Sequence, residues 1–362
     1  MESKLEEARK IINEVDTKMA ELFTRRMKAA EMVFDYKKEH GLPILDQKRE
    51  NEIIEKNSAM IKDDTIREYY IDYIKNLMSI SRAYQHRMQS GLKVAYSGVE
   101  GAFAHIAAGK IFENCERISY RDFKSAYNSV CDGECDVAIL PIENSYAGEV
   151  GQTIDIIFSG NLYINGIYEL EIHQNLLGLP NASVEDIKKV TSHPQALSQC
   201  HDYITLRGFE TEDANNTAIA AKIVAQANDK SLGAIASVET AKIYELKVLE
   251  ANINKSGENT TRFAVLSKVK AISSSLPNSV LMFTVKNEAG SLANAISIIG
   301  KYGYNMTALR SRPLKKHSWQ YYFYVEVDGS MDSDNGKRMI AELDVVCDRL
   351  KVAGTYVPHT EI

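Results

Sequence analysis

The sequence predicts a multi-domain protein in which an all-α region, an α/β region and a ferredoxin-like α+β module follow one another. Residues 1–90 contain almost no Gly or Pro, and their apolar residues recur at helical spacing. Between residues 93 and 270, short β-rich runs alternate with helical stretches, which is typical of an α/β domain built on largely parallel sheets. Residues 278–362 read strand, helix, strand, strand, helix, strand, the order of a ferredoxin-like module. A chain of 362 residues is long enough for two or three such domains.

Composition and charge restrict the class of protein. The formal net charge of −6 argues against a nucleic-acid partner, which needs a basic face to neutralise phosphates. Met1–Lys10 is charged throughout and lacks the apolar stretch of a secretory signal, and the longest apolar runs are too short to cross a membrane. The five cysteines include Cys131 and Cys135, whose spacing suits neither a redox pair nor a zinc knuckle. We expect a cytoplasmic protein with reduced thiols, no metal and no cofactor.

The first helix is predicted over Ser3–His40 and carries one charge in an otherwise apolar seam. Its apolar positions, spaced alternately three and four residues apart, are Leu5, Ala8, Ile12, Val15, Met19, Leu22, Ala29, Val33 and Tyr36. Arg26 interrupts the series between Leu22 and Ala29. At about 1.5 Å per residue the helix would be roughly 55 Å long, more than a compact domain of this size needs. We therefore expect a second chain to cover the exposed part, in a homodimer or a higher homo-oligomer.

Two further helices also turn polar residues toward the core. The second helix is predicted to begin near Asp46, because Gly41 and Pro43 end the first. The third has an apolar stripe that includes Ser81 and Gln85. One interpretation is a buried Arg26–Glu50 salt bridge that fixes the helix register, although buried ion pairs are a poor source of stability. The surplus of positive charge in the whole set favours a site for a dianion. That set is Arg9, Arg26, Lys37, Asp46, Arg49, Glu50, Ser81 and Gln85.

The remaining elements follow from β-rich runs and helical periodicity. The strands predicted in the α/β region are Lys93–Ser97, Asp136–Ile142, Val190–Ser192, Leu232–Ala236 and Phe263–Leu266. The elements predicted in the C-terminal module are Val280–Lys286, Ser291–Tyr302, Met306–Arg312, Tyr321–Asp328, Asn335–Cys347 and Lys351–Val357. Gly91 marks the first domain boundary, and Ser273–Ser275 with Pro277 marks the second.

Three short motifs lie at or near predicted strand ends, where open α/β sheets bind ligands. They are P-I-E-N-S at Pro141–Ser145, S-H-P-Q at Ser192–Gln195 with Gln199 one turn later, and N-T-T-R-F at Asn259–Phe263. Each motif alone is better explained by ordinary structure, since Asn144 and Ser145 suit a helix cap, Ser192-His193-Pro194 suits a turn and Thr261 suits a strand. Only their combination indicates a site.

Residues 1–90 resemble the all-helical chorismate mutase of the bifunctional P-protein family. The resemblance implies an intertwined dimer. In each site Arg26 would bind one carboxylate of chorismate, and Arg9 of the partner subunit would bind the other. Lys37 and Gln85 would contact the ether oxygen, Asp46 and Glu50 the hydroxyl side, and Arg49 and Ser81 would complete the wall. A Claisen rearrangement is unimolecular, so binding the reactive conformer and stabilising charge at the breaking bond suffice.

The three motifs together resemble prephenate dehydratase, over about Lys93–Val269. The resemblance implies two α/β lobes, similar to a periplasmic binding protein, with the active site in the cleft. Thr261 would donate a hydrogen bond to the leaving hydroxyl of prephenate. The other candidate prephenate-binding residues are Glu143, Asn144, Ser145, Ser192, His193, Gln199 and Arg262. Glu143 and His193 are both possible proton sources. Ala104 departs from the family pattern, where a hydroxyl residue is frequent.

The C-terminal module resembles an ACT domain, which implies phenylalanine as an effector. The segment Gly290-Ser291-Leu292-Ala293 matches the family's helix start, and Ser311-Arg312-Pro313 matches most of a Glu-Ser-Arg-Pro segment. Arg310 stands where the family has glutamate. We therefore expect weak binding of phenylalanine. The alternative is a module that only dimerises.

Two rival functions have less support in the sequence. A mutase joined to a dehydrogenase would need a G-x-G-x-x-G fingerprint, which Tyr96–Gly101 lacks. A non-catalytic amino-acid-binding protein would suit the two lobes and the ACT-like module, but not the polar seam of the helical region. Turnover of chorismate distinguishes this rival from the bifunctional enzyme.

Overall fold

The computed structural model describes residues 3–254, 259–271, 276–314, 320–359 and 362. The chain forms two compact units, Met1–Gly91 and Leu92–Ile362. The predicted linker Ser273–Ser275 lies outside the described residues, which resume at residue 276.

The described part of the first unit is formed by the helices α1 (Lys4–Glu39), α2 (Gln47–Ser58) and α3 (Asp64–Ser90). Ser3 and Glu6 form a capping box at the start of α1, so this helix begins where the sequence predicts. Asp46 is the N-cap of α2 and accepts a hydrogen bond from the backbone of Arg49. The 36 residues of α1 give a helix about 54 Å long.

Helix α1 packs on α3 only through its C-terminal half. Ala30 and Phe34 are its buried residues, whereas the apolar residues of its N-terminal half are between 42% and 62% exposed. Those exposed residues are Leu5, Ile11, Ile12, Val15, Met19 and Leu22. A single chain therefore leaves about half of the apolar seam uncovered.

The second unit begins with an α/β region in which strands and helices alternate. In chain order its first elements are β1 (Leu92–Ser97), α4 (Phe103–Ile111), β2 (Cys115–Tyr120), α5 (Phe123–Asp132), β3 (Val137–Asn144), β4 (Gly148–Glu149), α6 (Gly151–Ser159) and β5 (Tyr163–Glu171). They are followed by β6 (Asn175–Gly178), β7 (Lys189–Ser192), α7 (Pro194–Gln199), α8 (His201–Arg207), β8 (Glu210–Asp213), α9 (Thr217–Ala227), β9 (Leu232–Ala236), α10 (Val238–Ile243), β10 (Lys247–Glu250) and β11 (Thr260–Ser267). A short 3₁₀ turn, Val184–Asp186, precedes β7.

The C-terminal module has the predicted order of strands and helices. Its elements are β12 (Asn278–Thr284), α11 (Ser291–Lys301), β13 (Met306–Pro313), β14 (Tyr321–Asp328), α12 (Asp334–Val346), β15 (Arg349–Tyr356) and β16 (Pro358–His359). The observed bounds of the six predicted elements differ from the predicted bounds by two residues at most.

The described strands of the second unit form two sheets. The order in the larger sheet is β13-β14-β12-β15-β5-β11-β3-β1-β2, with β16 beside β5 and β4 beside β3. The smaller sheet has the order β10-β6-β9-β7-β8. The prediction of largely parallel sheets was wrong in part, because β11 is antiparallel to both of its neighbours and β6 is antiparallel to β9 and β10. Strand β6 follows the crossing from the larger sheet to the smaller one, and β11 follows the return crossing.

The C-terminal module and the α/β region share one continuous sheet. Strand β15 pairs with β5 at Gly354 and Ile164, and a Cβ at Gly354 would collide with the carbonyl oxygen of Ile164. Glycine is therefore needed for this close approach of two backbones. Helices α11 and α12 pack on one face of the module, around Leu281 and Phe283.

Candidate active sites

In the helical unit, the side chain of Arg26 extends from α1 to α3. One guanidinium nitrogen, Nη1, donates to the hydroxyl of Ser81 and lies 3.5 Å from the carbonyl oxygen of Leu77. Nε and Nη2 have no acceptor within the described part of the chain, so the guanidinium keeps donors for a ligand. Burial lowers the pKa of Arg26 from its ordinary value, while Tyr73 and Glu50 act in the opposite sense. A partly buried cation of this kind suits an anionic ligand.

The Arg26–Glu50 salt bridge, the alternative interpretation of these charges, is not formed. Glu50 pairs instead with Arg82, a residue of α3 that sequence reasoning missed. The sequence signal for Arg82 was its position directly after Ser81, which belongs to the inward-facing stripe of α3. Because Glu50 has its own partner, the charge of Arg26 is not neutralised by an ion pair within the described residues.

The other predicted mutase residues lie along the same helices. Gln85 is buried and donates to the carbonyl oxygen of Ala30 at 3.0 Å, and Lys37 donates to that of Ile44 at 2.6 Å. Asp46 is exposed at the α2 N-cap. Ser81 and Gln85 contact Arg26 and Ala30 in the same chain order, so α1 and α3 run in the same direction.

A cavity of about 710 Å³ opens beside Arg26 in the helical unit. Its lining residues are Arg26, Arg49, Glu52, Ile53, Glu55, Lys56, Asn57, Ala59 and Ile74. Only Arg26 and Arg49 of the predicted set are among them. Arg9 lies 17 positions before Arg26 on one straight helix, about 25 Å away, and is exposed. Arg9 therefore cannot reach the cavity of its own chain.

In the second unit, Asn144 and Thr261 meet across the β3–β11 pair. They are opposite one another in register, and Nδ2 of Asn144 lies 3.0 Å from the Thr261 hydroxyl. Oδ1 of Asn144 accepts from Gln195, in the first turn of α7. Gln199, one turn later, accepts from Nδ2 of Asn259 at 3.0 Å. The three motifs thus converge into one cluster of uncharged polar groups.

Gln195 and Asn259 belong to this cluster but were not assigned to the site from the sequence. Both lie inside the quoted motifs, and Asn259 is only 6% exposed. The remaining motif residues are engaged with backbone. Ser192 donates to the carbonyl oxygen of Ile235 at 2.6 Å, and the hydroxyl of Ser145 accepts from the backbone of Thr260. His193 is the N-cap of α7, and its Nδ1 accepts from the backbone of Gln195.

Glu143 and Arg262 lie in a different cluster, on the opposite face of the sheet from Asn144 and Thr261. Successive side chains of a strand alternate between faces, so a neighbour of a site residue points away from the site. Arg262 donates to Glu143 at 3.0 Å and makes a two-pronged pair with Glu326 of β14. Arg310 donates to the other oxygen of Glu143 at 2.6 Å.

This ionic cluster joins β3 and β11 to the C-terminal module. Glu326 is 3% exposed and also accepts from the hydroxyls of Tyr324 and Tyr356. Burial raises the pKa of Glu326, but Arg262, Tyr324 and Arg310 together lower it by more, so the pKa lies below its ordinary value. Arg262 shows the reverse, because burial lowers its pKa while Glu326, Tyr324 and Glu143 together raise it by more. Both side chains are therefore charged at neutral pH.

The predicted effector residues are divided between two places. Gly290, with φ 88°, is the N-cap of α11, and Ser291, Leu292 and Ala293 form the first turn of that helix. Arg312 is engaged elsewhere, since it pairs with Asp155 at 2.9 Å and with Glu149 at 2.5 Å. Ser311 is exposed on the opposite face of β13. Arg310, in place of the family's glutamate, belongs to the ionic cluster with Glu143.

Two other features are absent from the described residues. No three His, Cys, Asp or Glu side chains in that part of the chain are grouped to hold a metal ion. None of its helices combines the length and the apolar character that a membrane span requires.

Known proteins resemble both units. The chorismate mutase type II family matches residues 8–86, and the prephenate dehydratase family matches residues 94–271. The bifunctional chorismate mutase/prephenate dehydratase of Aquifex aeolicus is 30% identical, with 97% of each chain covered. This relative spans both units rather than one.

Solved structures resemble the second unit. A chain described as a quorum-quenching acylase is 28% identical with a TM-score of 0.69, over 74% of this chain and 98% of its own. The prephenate dehydratase of Arthrobacter aurescens in complex with L-Phe is 24% identical with a TM-score of 0.69, over 74% of this chain and 90% of its own. At that identity the second likeness establishes the fold alone.

The two matched regions occur in the same order in this chain and in the Aquifex relative, and together they include Arg26 and Thr261. The chain therefore belongs to the bifunctional chorismate mutase/prephenate dehydratase family, the enzymes of phenylalanine biosynthesis that rearrange chorismate to prephenate and convert prephenate to phenylpyruvate.

Proposed function

We propose that the mutase reaction takes place at Arg26 and the dehydratase reaction at Thr261, in domains 1–90 and 93–270. The observation that carries the first assignment is the guanidinium of Arg26, half-buried, without an ion-pair partner among the described residues and beside a cavity. The second rests on the convergence of three separate motifs around Asn144.

In the mutase site, Arg26 binds one carboxylate of chorismate, and Arg9 of the partner subunit binds the other. A second chain is required because Arg9 is about 25 Å from Arg26 along its own helix. The exposed apolar N-terminal half of α1 supports the same conclusion, since a dimer would bury it.

The other mutase residues act on the reacting bonds. Lys37 and Gln85 donate to the ether oxygen, where negative charge grows as the C–O bond breaks. Asp46 and Glu50 contact the hydroxyl side, and Arg49 and Ser81 complete the wall. No proton is transferred in this step, so the residues need only hold the reactive conformer and stabilise charge.

In the dehydratase site, loss of carbon dioxide supplies an electron pair to the ring and the ring hydroxyl leaves as water. One proton is consumed, and the Thr261 hydroxyl donates a hydrogen bond to the departing oxygen. Asn144 at the end of β3 and Gln199 in α7 are the proposed substrate-binding amides, with Ser145 and Ser192 at the ends of β3 and β7. We favour His193 over Glu143 as the proton source, because Glu143 is paired with Arg262 and Arg310. Arg262 accordingly acts through the ionic cluster rather than on prephenate.

The C-terminal module, residues 278–362, is proposed to be an ACT domain that responds to phenylalanine. Its strand order supports this, and the Arthrobacter prephenate dehydratase carries L-Phe. The segment Gly290–Ala293 offers the first turn of α11 to a carboxylate.

Incubation with chorismate is the direct test of the assigned activities. We expect prephenate to appear first and phenylpyruvate to follow, with no added metal or cofactor. Supplied prephenate should give phenylpyruvate alone. A protein that binds either compound without consuming it would be the non-catalytic binding protein, and the assignment would be wrong.

Phenylalanine is expected to bind weakly to this chain. Arg310 replaces an acidic residue of the family motif and pairs with Glu143, and Arg312 is held by Asp155 and Glu149, so both side chains already have partners within the chain. Titration calorimetry should give a Kd above about 0.1 mM, which corresponds to a binding free energy weaker than about −5.5 kcal/mol. Micromolar binding would show that the charge reversal does not matter.

A further inference from the structure

Asn259 is the central member of a chain of amide side chains that leads to Thr261. Its Oδ1 accepts from Nδ2 of Asn144 at 2.9 Å, and its Nδ2 donates to Gln199 at 3.0 Å. Asn259 and Asn144 are 6% and 7% exposed, so these hydrogen bonds form away from bulk water. The residue lies just before β11, where the chain returns from the smaller sheet to the larger one.

Backbone groups at the two ends of this row of amide side chains fix which amide atoms donate and which accept. At one end, the backbone N–H groups of Tyr146 and Ala147 donate to Oδ1 of Asn144, at 3.1 and 2.8 Å. At the other end, the carbonyl oxygen of Ile172 lies 3.5 Å from Nδ2 of Asn259. Because a backbone N–H only donates and a carbonyl only accepts, neither amide can be reversed without losing these partners. Nδ2 of Asn144 must therefore point toward Asn259 and Thr261.

This polarity decides what the Thr261 hydroxyl can do. A hydroxyl has one hydrogen to donate and two lone pairs that accept. Nδ2 of Asn144 occupies one lone pair of Oγ1, and no acceptor for the Thr261 hydrogen lies among the residues that the structure describes. The hydroxyl is therefore left as a donor, which is the role that departure of the ring hydroxyl requires.

We propose that Asn259 is a positioning residue of the dehydratase, which holds Asn144 so that Thr261 is presented to prephenate as a hydrogen-bond donor. The proposal rests on the dehydratase site assigned above. Asn259 itself need not touch the substrate, because it acts through Asn144. Its contact with Gln199 also ties the donor to α7 and thus to the second sheet of the cleft.

The Asn259→Ala variant tests the proposal through the kinetics of prephenate turnover. We expect kcat to fall about 10- to 100-fold while KM changes less than about threefold, since a small misplacement of a reacting group costs rate rather than binding. Mutase activity should be unchanged. The matched control is Asn254→Ala, because Asn254 makes comparable bonds at the same crossing, to the backbone of Gln174 and Ile172, without contacting Asn144. An equal loss of kcat in both variants would show a merely structural role.

The Asn259→Asp variant gives a readout that a structural role would not produce. An ionised carboxylate at this position could not donate to Gln199 or to the Ile172 carbonyl and would be repelled by both oxygens. The protonated carboxyl would restore one donor and one acceptor. We therefore expect the ratio of variant to wild-type kcat to rise as pH falls, measured from about pH 8 to about pH 5.5 with the enzyme-free rate subtracted. A flat ratio would overturn the proposal.

These outcomes are distinct from failure of the assigned function. If wild-type protein did not consume prephenate, the dehydratase assignment would be wrong. If wild type were active and Thr261→Ala inactive, while Asn259→Ala kept its kcat, only the role of Asn259 would be wrong. Thermal unfolding of each variant shows whether it is folded, and the ratio for Asn259→Asp compares the same two folded proteins at every pH.

Discussion

The Arg26→Ala variant is expected to abolish measurable mutase turnover, a fall in kcat/KM for chorismate of at least about 10²-fold. In the proposed site the guanidinium binds a substrate carboxylate, and its loss would leave that charge without a partner in a partly desolvated site. Turnover of supplied prephenate should stay within about twofold of wild type, because Thr261 and its partners lie in the second unit. Separate assays on chorismate and on prephenate measure the two activities.

Arg25→Ala is the matched control for this variant. Arg25 is the adjacent residue of α1, carries the same charge and is exposed, so its removal alters the net charge equally without opening the cavity. Arg26→Lys separates charge from geometry, since lysine keeps the charge and loses the planar pair of donors. Equal loss of mutase and dehydratase activity in Arg26→Ala would contradict separate sites, and a normal mutase rate would remove Arg26 from the mechanism.

Periodicity identified Arg26, but it could not identify the partners of each polar group. A charge in an apolar heptad is visible in one helix alone, and the same holds for Ser81 and Gln85, whose predicted burial is confirmed. Which cation pairs with Glu50 depends on how three helices are rotated against one another. In the structure Glu50 pairs with Arg82, one residue beyond Ser81. The guanidinium of Arg26 therefore has no ion-pair partner among the described residues.

The motifs of the second unit led us to predict that consecutive residues share one site, although residues next to one another on a strand point to opposite faces of the sheet. Glu143 and Asn144 are consecutive, as are Thr261 and Arg262, and each pair is divided between the two faces of the sheet. Alternation along a strand was available from the sequence. The contact of Asn144 with Gln195 and Asn259 was not, because it depends on how the two sheets are placed at the crossings.

The C-terminal module was predicted as a separate domain, and its internal order was recovered well from strand and helix periodicity. Its attachment was not foreseen, because the pairing of β15 with β5 depends on a contact between Gly354 and Ile164, far apart in sequence. Arg310 was interpreted only as a charge reversal in an effector motif. In the folded chain it pairs with Glu143, next to Asn144 of the proposed dehydratase site, so the reversed charge has an ion-pair partner in the α/β region.

Thr261→Ala should have the opposite effect to Arg26→Ala, with loss of dehydratase turnover and normal mutase turnover. Removal of a hydrogen-bond donor to the leaving group is expected to lower kcat on prephenate by about 10²- to 10⁴-fold. Chorismate should then be converted to prephenate, and prephenate should accumulate because it is no longer converted to phenylpyruvate. The hydroxyl contributes one hydrogen bond to the cluster, from Asn144, so the cost in stability should be small, about 1 kcal/mol.

Two neighbouring substitutions decide whether that loss is specific to the Thr261 hydroxyl. Thr260→Ala removes a hydroxyl from the adjacent position of β11, which faces away from Asn144, and should keep most of the dehydratase rate. Thr261→Ser retains the hydroxyl without the methyl group and should recover a large part of kcat. If Thr261→Ala consumed prephenate at the wild-type rate, the leaving hydroxyl would have to be assisted by another donor of the cluster, and His193 would be the next residue to substitute.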